Sequence, residues 1–104
     1  MKRYVLSKSA KADLDDIWFF LARKSASVTP AERILQRLQD AIILLAAQPG
    51  IGRRCEDIDE NGRCLPIGDY IIYYRADTRR RILITHIFHG KRDQRRAWRQ
   101  SPKR

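Results

Sequence analysis

The chain has few of the residues that would make several function classes easy to assign. It holds two cysteines, Cys55 and Cys64, in 104 residues. Two cysteines cannot form a disulfide framework, and without a CxxC pair they do not suggest zinc. In a reducing compartment they are expected to be free thiols. The longest apolar run, Ala41–Ala47, is far short of a bilayer span. Val5 and Leu6 are followed at once by Ser7 and Lys8, so no secretory h-region is present. A cytoplasmic protein without membrane association is the expectation. Acidic residues are also scarce: 12 Asp and Glu face 22 Lys and Arg, a formal net charge of +10. Such a balance points to an anionic partner: nucleic acid, an acidic protein or a membrane surface.

The excess charge is localised. Residues 79–104 carry ten Lys or Arg against the single acid Asp93, while the other twelve bases face eleven acids. Sixteen of the bases are Arg, whose planar fork suits phosphates and carboxylates. At 43% hydrophobic residues a core is within reach, and the length suits one domain. The expected division is a single domain over 1–93 and a basic tail over 94–104.

Hydrophobic periodicity predicts the elements. Arg3–Leu6 reads as a short strand, with Ser7 or Ser9 as the following N-cap. Ala10, Leu14, Ile17 and Leu21 recur at helical spacing, with Trp18 and Phe20 widening the apolar face. Asp13, Asp15 and Asp16 suit the positive end of that helix dipole, and Arg23 and Lys24 the other end. Thr29 and Glu32 have capping-box spacing, with Pro30 at the first turn of a second helix. Its stripe runs Ala31, Ile34, Leu35, Leu38, Ala41, Ile42 and Leu45, and Pro49-Gly50 stops it. The short linker implies an antiparallel helix pair. From there the period becomes strand-like. Arg63–Ile67 reads as an edge strand, because Pro66 cannot donate to a ladder. Tyr70–Arg75 and Ile82–Phe88 read as a central hairpin after a Gly68-Asp69 turn. Residues 94–100 suggest a closing helical turn. The class is α+β: an N-terminal helical hairpin on a small antiparallel sheet.

Catalytic motifs are scarce. Gly50-Ile51-Gly52-Arg53 follows a helix rather than a strand, which excludes a dinucleotide or Walker loop. His86 and His89 fall on opposite faces of a strand, so they do not chelate one metal. No Ser or Cys nucleophile has a partnered base in view. No cofactor and no metal are expected. An Arg set remains: Arg53, Arg54, Arg63, Arg75 and Arg92, followed by the tail. Arg can stabilise phosphorane charge but carries protons poorly at its high pKa. Trp98, among Arg95, Arg96 and Arg99, suits either base stacking or anchoring to the core.

The ordered pieces resemble the ParE branch of the RelE/ParE toxins of bacterial type II toxin–antitoxin systems. The resemblance spans about residues 4–93. It rests on Ala10-Lys11-Ala12-Asp13-Leu14-Asp15-Asp16-Ile17-Trp18, on Pro49-Gly50-Ile51-Gly52-Arg53, on Arg63, on Tyr70-Ile71-Ile72-Tyr73-Tyr74-Arg75 and on His89-Gly90-Lys91-Arg92-Asp93. It implies a helical hairpin on a sheet, DNA gyrase as the target, and neutralisation by a ParD-like antitoxin that wraps a C-terminal segment around the toxin. RelE-like relatives instead cleave mRNA on the ribosome, often with a Tyr near the C-terminus. No Tyr follows Tyr74 here. A basic nucleic-acid-binding module acting through residues 79–104 is the third reading. An antitoxin is expected to lay an amphipathic segment beside the hairpin and sheet, with its acids on the Arg surface. The binding residues expected on this reading are Arg53, Arg63, Arg75, Arg92, Arg95 and Trp98, with His89 and Asp93 fixing the strand end.

Overall fold

The structure, a computed structural model, describes residues 3–56, 59–77 and 81–90. Strand β1 (Tyr4–Leu6) leads into α1 (Lys8–Ser25) and α2 (Thr29–Ala47). A 3-10 turn at Pro49–Ile51 follows, then β2 (Arg53–Arg54), β3 (Gly62–Ile67), β4 (Tyr70–Ala76) and β5 (Ile82–His89). The five strands form one sheet in the order β1-β5-β4-β3-β2. The sheet is mixed, not purely antiparallel as the sequence suggested: β1 runs parallel to β5, with Tyr4 opposite Ile82 and Leu6 opposite Ile84. The hairpin of helices lies between β1 and the rest of the sheet in sequence. It provides the long crossover that a parallel neighbour requires.

The helices cover one sheet face. Leu38, Ile42 and Leu45 of α2 and Ala10 and Ile17 of α1 meet Tyr70, Ile72 and Tyr74 of β4 and Ile82, Ile84 and Ile87 of β5. On the other face Cys55, Cys64, Tyr73 and Phe88 form a smaller buried cluster, with Ile71 against it. Both faces of β4 and β5 are therefore apolar, as their sequences required. Strict alternation on β5 fails at one place. Tyr73 pairs with His86 but Tyr74 pairs with Ile84, so Thr85 is the extra residue of a bulge. Thr85 Oγ1 donates to the Tyr73 carbonyl at 3.2 Å. Ile84 and Ile87, rather than Ile84 and His86, then share the helix face.

Strand β1 stops at Leu6, which leaves the rest of β5 at risk as an open edge. The start of α1 closes it. Ser7 is the N-cap: its Oγ accepts from Ala10 N at 3.0 Å and donates to the Thr85 carbonyl at 2.9 Å. Asp13 Oδ2 accepts from Ile87 N at 3.0 Å. Asp13 thus serves the sheet edge rather than the helix dipole, and the first turn of α1 holds no acid. Ser7→Ala removes both bonds of a buried hydroxyl, and its expected cost is about 2 kcal/mol. Urea denaturation checks this; a midpoint unchanged from the parent refutes it.

Three further expectations are corrected. Thr29 is the first residue of α2, not its cap, so the capping box with Glu32 does not form. The chain turns at Ala26, in the left-handed region at φ 55°, and Ser27 Oγ accepts from Thr29 N at 3.3 Å instead. Phe20 does not join the core: it is 59% exposed on α1. Strand β3 is not an outer strand along its whole length, because β2 pairs with its first half, Arg53 opposite Cys64 and Arg54 opposite Arg63. Pro66 lies beyond that pairing, where its missing N–H costs no β2 bond.

Candidate functional site

Four arginines lie at the β2 end of the sheet, on β2, β3 and β4. The segment 49–54 carries two of them and is held from below by Tyr74. The Tyr74 hydroxyl donates to the Pro49 carbonyl at 2.6 Å and accepts from Gly52 N at 3.0 Å. Arg63 Nη1 donates to the Gly52 carbonyl at 2.6 Å. Gly52 is clamped on both peptide groups, and the space allows nothing larger. A Cβ there would collide with the Tyr74 hydroxyl and lie 2.9 Å from the Cys64 carbonyl. Burial pushes the Tyr74 hydroxyl above its ordinary value, against a lowering by the Gly52 N–H and the nearby Arg63 charge. It remains a neutral donor and acceptor at physiological pH.

The clamp presents Arg53 and Arg54 to solvent, both exposed. Arg53 shares a face with Cys64; Arg54 lies directly opposite Arg63. Two like charges on facing positions of an antiparallel pair cost stability. Arg54 Nε meets Glu56 at 3.0 Å, an exposed pair that contributes little. Arg63 is half-buried, and Arg75, opposite Gly62, meets Asp59 at 3.7 Å. No acid among the described residues pairs with Arg53 or Arg63. By the strand registers, Arg53 and Arg75 lie on the sheet face that carries Cys64 and Tyr73, and Arg54 and Arg63 lie on the opposite face. The sequence-predicted Arg53, Arg63 and Arg75 thus share the β2 end of the sheet but not one face.

His89 is elsewhere. It ends β5 with its ring edge-on to Tyr70, centroids 5.3 Å apart. It lines a cavity of about 320 Å3 with Asp13, Asp16, Phe20, Tyr70 and Ile87. Burial, then the charge of Asp69, raises the Tyr70 hydroxyl above its ordinary value. At the back of this region Asp13 Oδ2 approaches His86 Nδ1 at 3.3 Å. The sequence offered no signal for this pocket, since α1 and the end of β5 are remote in the chain. Arg92, Asp93, Arg95 and Trp98 lie outside the described residues, as do the tail and its suggested helical turn. No group of three His, Cys, Asp or Glu among the described residues is placed to hold a metal ion. No helix among the described residues is long and apolar enough to cross a membrane.

Cys55 and Cys64, expected as free thiols, are bonded to each other, with their Cα atoms 6.2 Å apart. The bond follows from the pairing of β2 with β3, which places the residue after Arg54 beside the strand that carries Cys64. Spacing in the sequence could not show that pairing.

A helical hairpin on a five-stranded mixed sheet defines a small α+β domain. Known proteins share it. The family described as ParE toxin of type II toxin-antitoxin system, parDE, matches residues 4–94. Toxin ParE1 of Mycobacterium tuberculosis (strain H37Rv) is 36% identical over 91 residues, covering 88% of this chain and 92% of that protein. Toxin ParE1 of Caulobacter vibrioides is 36% identical over 83 residues, 80% of this chain and 85% of its own. Among solved structures, the chromosomal ParDE TA system from P. aeruginosa contains a chain with the same fold. Its TM-score is 0.74 at 22% identity, covering 88% of this chain and 98% of that one. The chain belongs to the ParE toxins of type II toxin–antitoxin systems.

Proposed function

We propose that this toxin acts by binding and not by turnover, gripping DNA gyrase through the Arg53, Arg54, Arg63 and Arg75 edge, and that a ParD-like antitoxin covers it in the cytoplasm. One observation carries the reading: Arg54 and Arg63 face each other across β2 and β3 at a cost to the fold. An anionic partner surface relieves that repulsion, so the arrangement favours capture over isolation. Catalysis has less support. Tyr74 is the tyrosine beside the arginines, and its hydroxyl is buried, neutral and engaged at both ends by Pro49 and Gly52. It does not present a proton carrier to an RNA 2′-OH. The exposed apolar face of α1 at Phe19 and Phe20, next to the cavity at Asp16, suits the amphipathic segment of an antitoxin.

The test is a supercoiling assay with purified toxin, gyrase and relaxed plasmid. Supercoiling is expected to stop, and to resume when the product of the adjacent reading frame is added. Undisturbed supercoiling at high toxin excess overturns the target assignment. New mRNA ends on translating ribosomes would favour the endoribonuclease instead.

A further inference from the structure

We propose that Cys55 and Cys64 are a reversible redox latch that sets the order of the cationic edge. Strand β2 is two residues long and pairs with β3 at only two positions. So short an edge strand has little stability of its own. The turn beyond it rests on three backbone bonds: Cys55 N to the Gly62 carbonyl at 3.0 Å, Asp59 N to the Cys55 carbonyl at 3.0 Å, and Gly62 N to the Asp59 carbonyl at 2.8 Å. The sulfur bridge ties this segment to β3 immediately after Arg54 and next to Arg63. Both half-cystines are buried, at 4% and 0%, in the cluster with Tyr73 and Phe88. Closing the loop of nine-residue separation removes open conformations of the segment that bears Arg53 and Arg54.

The chemistry is thiol–disulfide exchange with a low-molecular-weight disulfide of the oxidised glutathione class. The Cys55 thiol, the less buried of the two, loses its proton, and its thiolate attacks one sulfur of that disulfide. The small-molecule S–S bond breaks, one small thiolate leaves, and a mixed disulfide forms on Cys55. The Cys64 thiolate then attacks the Cys55 sulfur, forms the protein bridge and releases the second small thiolate. The two small thiolates take up the two protons that the cysteines lose. The protein is oxidised by two electrons and the small disulfide is reduced to two thiols. A cytoplasm that reduces the bridge loosens the edge; oxidative stress restores it.

That a loosened edge changes toxin action rests on the binding role proposed for Arg53 and Arg54, and the experiment separates the two. The full chain is prepared with oxidised glutathione or with dithiothreitol, and amide exchange and alkylation are followed by mass spectrometry. Oxidised protein is expected to resist alkylation at both cysteines. On reduction, exchange at the Cys55 and Gly62 amides is expected to accelerate about tenfold to a hundredfold, with Ile72 and Ile84 unchanged. Cys55→Ser is expected to show the fast rates in both buffers. Alkylation of both cysteines in the oxidised sample, or equal exchange in the two buffers, overturns the latch. Slow exchange in Cys55→Ser overturns it too, because hydrogen bonds alone would then hold the edge. A supercoiling assay on the two forms is expected to show a several-fold difference in the toxin needed. Equal potency overturns the coupling to action. Inhibition by neither form, with the exchange difference intact, supports the latch and removes the gyrase reading.

Discussion

The double reversal Arg53→Glu with Arg54→Glu is expected to weaken capture of the antitoxin and of gyrase by about a hundredfold or more, with little change in thermal stability. Both side chains are exposed, and neither makes a buried bond that the fold needs. The substitution even removes the repulsion between Arg54 and Arg63. Like charge set against an acidic partner costs several kcal/mol, far more than the loss of one rim contact. Lys11→Glu near the start of α1 is the control for net charge, since it is exposed and lies neither on the β2 edge nor among the residues that line the cavity beside Phe20. Titration calorimetry at low and moderate salt reads both variants. If Lys11→Glu weakens binding as much as the reversal at the edge, the effect is one of total charge and the site assignment falls.

Tyr74→Phe is expected to have the largest effect on the fold for the smallest change of shape. Removal of one oxygen leaves Gly52 N without its acceptor and the Pro49 carbonyl without its donor. The Gly52 N–H is buried and costs about 1–3 kcal/mol when unmet, whereas the carbonyl of the exposed Pro49 can turn to water, so a loss of about 1–3 kcal/mol is expected. For a chain of this size that lowers Tm by about 5–20 °C. Calorimetry checks it. A fall of less than about 3 °C would show that the hydroxyl does not hold the 49–54 segment.

Much of this fold can be read along the chain. The stripe from Ala31 to Leu45 marks the face of α2 that is buried or half-buried, and Tyr70, Ile72 and Tyr74 share the helix face as their spacing says. Such local periods depend only on neighbours three, four or two residues away. What escapes is pairing over distance. Nothing in Tyr4–Leu6 names β5 as its parallel partner, and nothing in Thr85 announces a bulge. The site divides in the same way. Arg53 and Arg63 were legible as members of an Arg set. The clamp of Tyr74 on Gly52 and the bond of Cys55 to Cys64 depend on β2 folding back on β3. Asp13 shows the same limit: its sequence position fits a helix dipole, while its bond is to Ile87, across most of the chain.

The parallel seat of β1 has a consequence for synthesis. The first strand emerges from the ribosome long before Ile82–Ile84, the stretch it pairs with, exists. Ser7, too, must wait for Thr85 to complete its bonds. Contacts this remote in sequence make folding late and slow. A nascent chain halted before β5 therefore cannot seat its own N-terminus, and an interrupted translation product leaves the cell with an unfinished domain instead of a working poison.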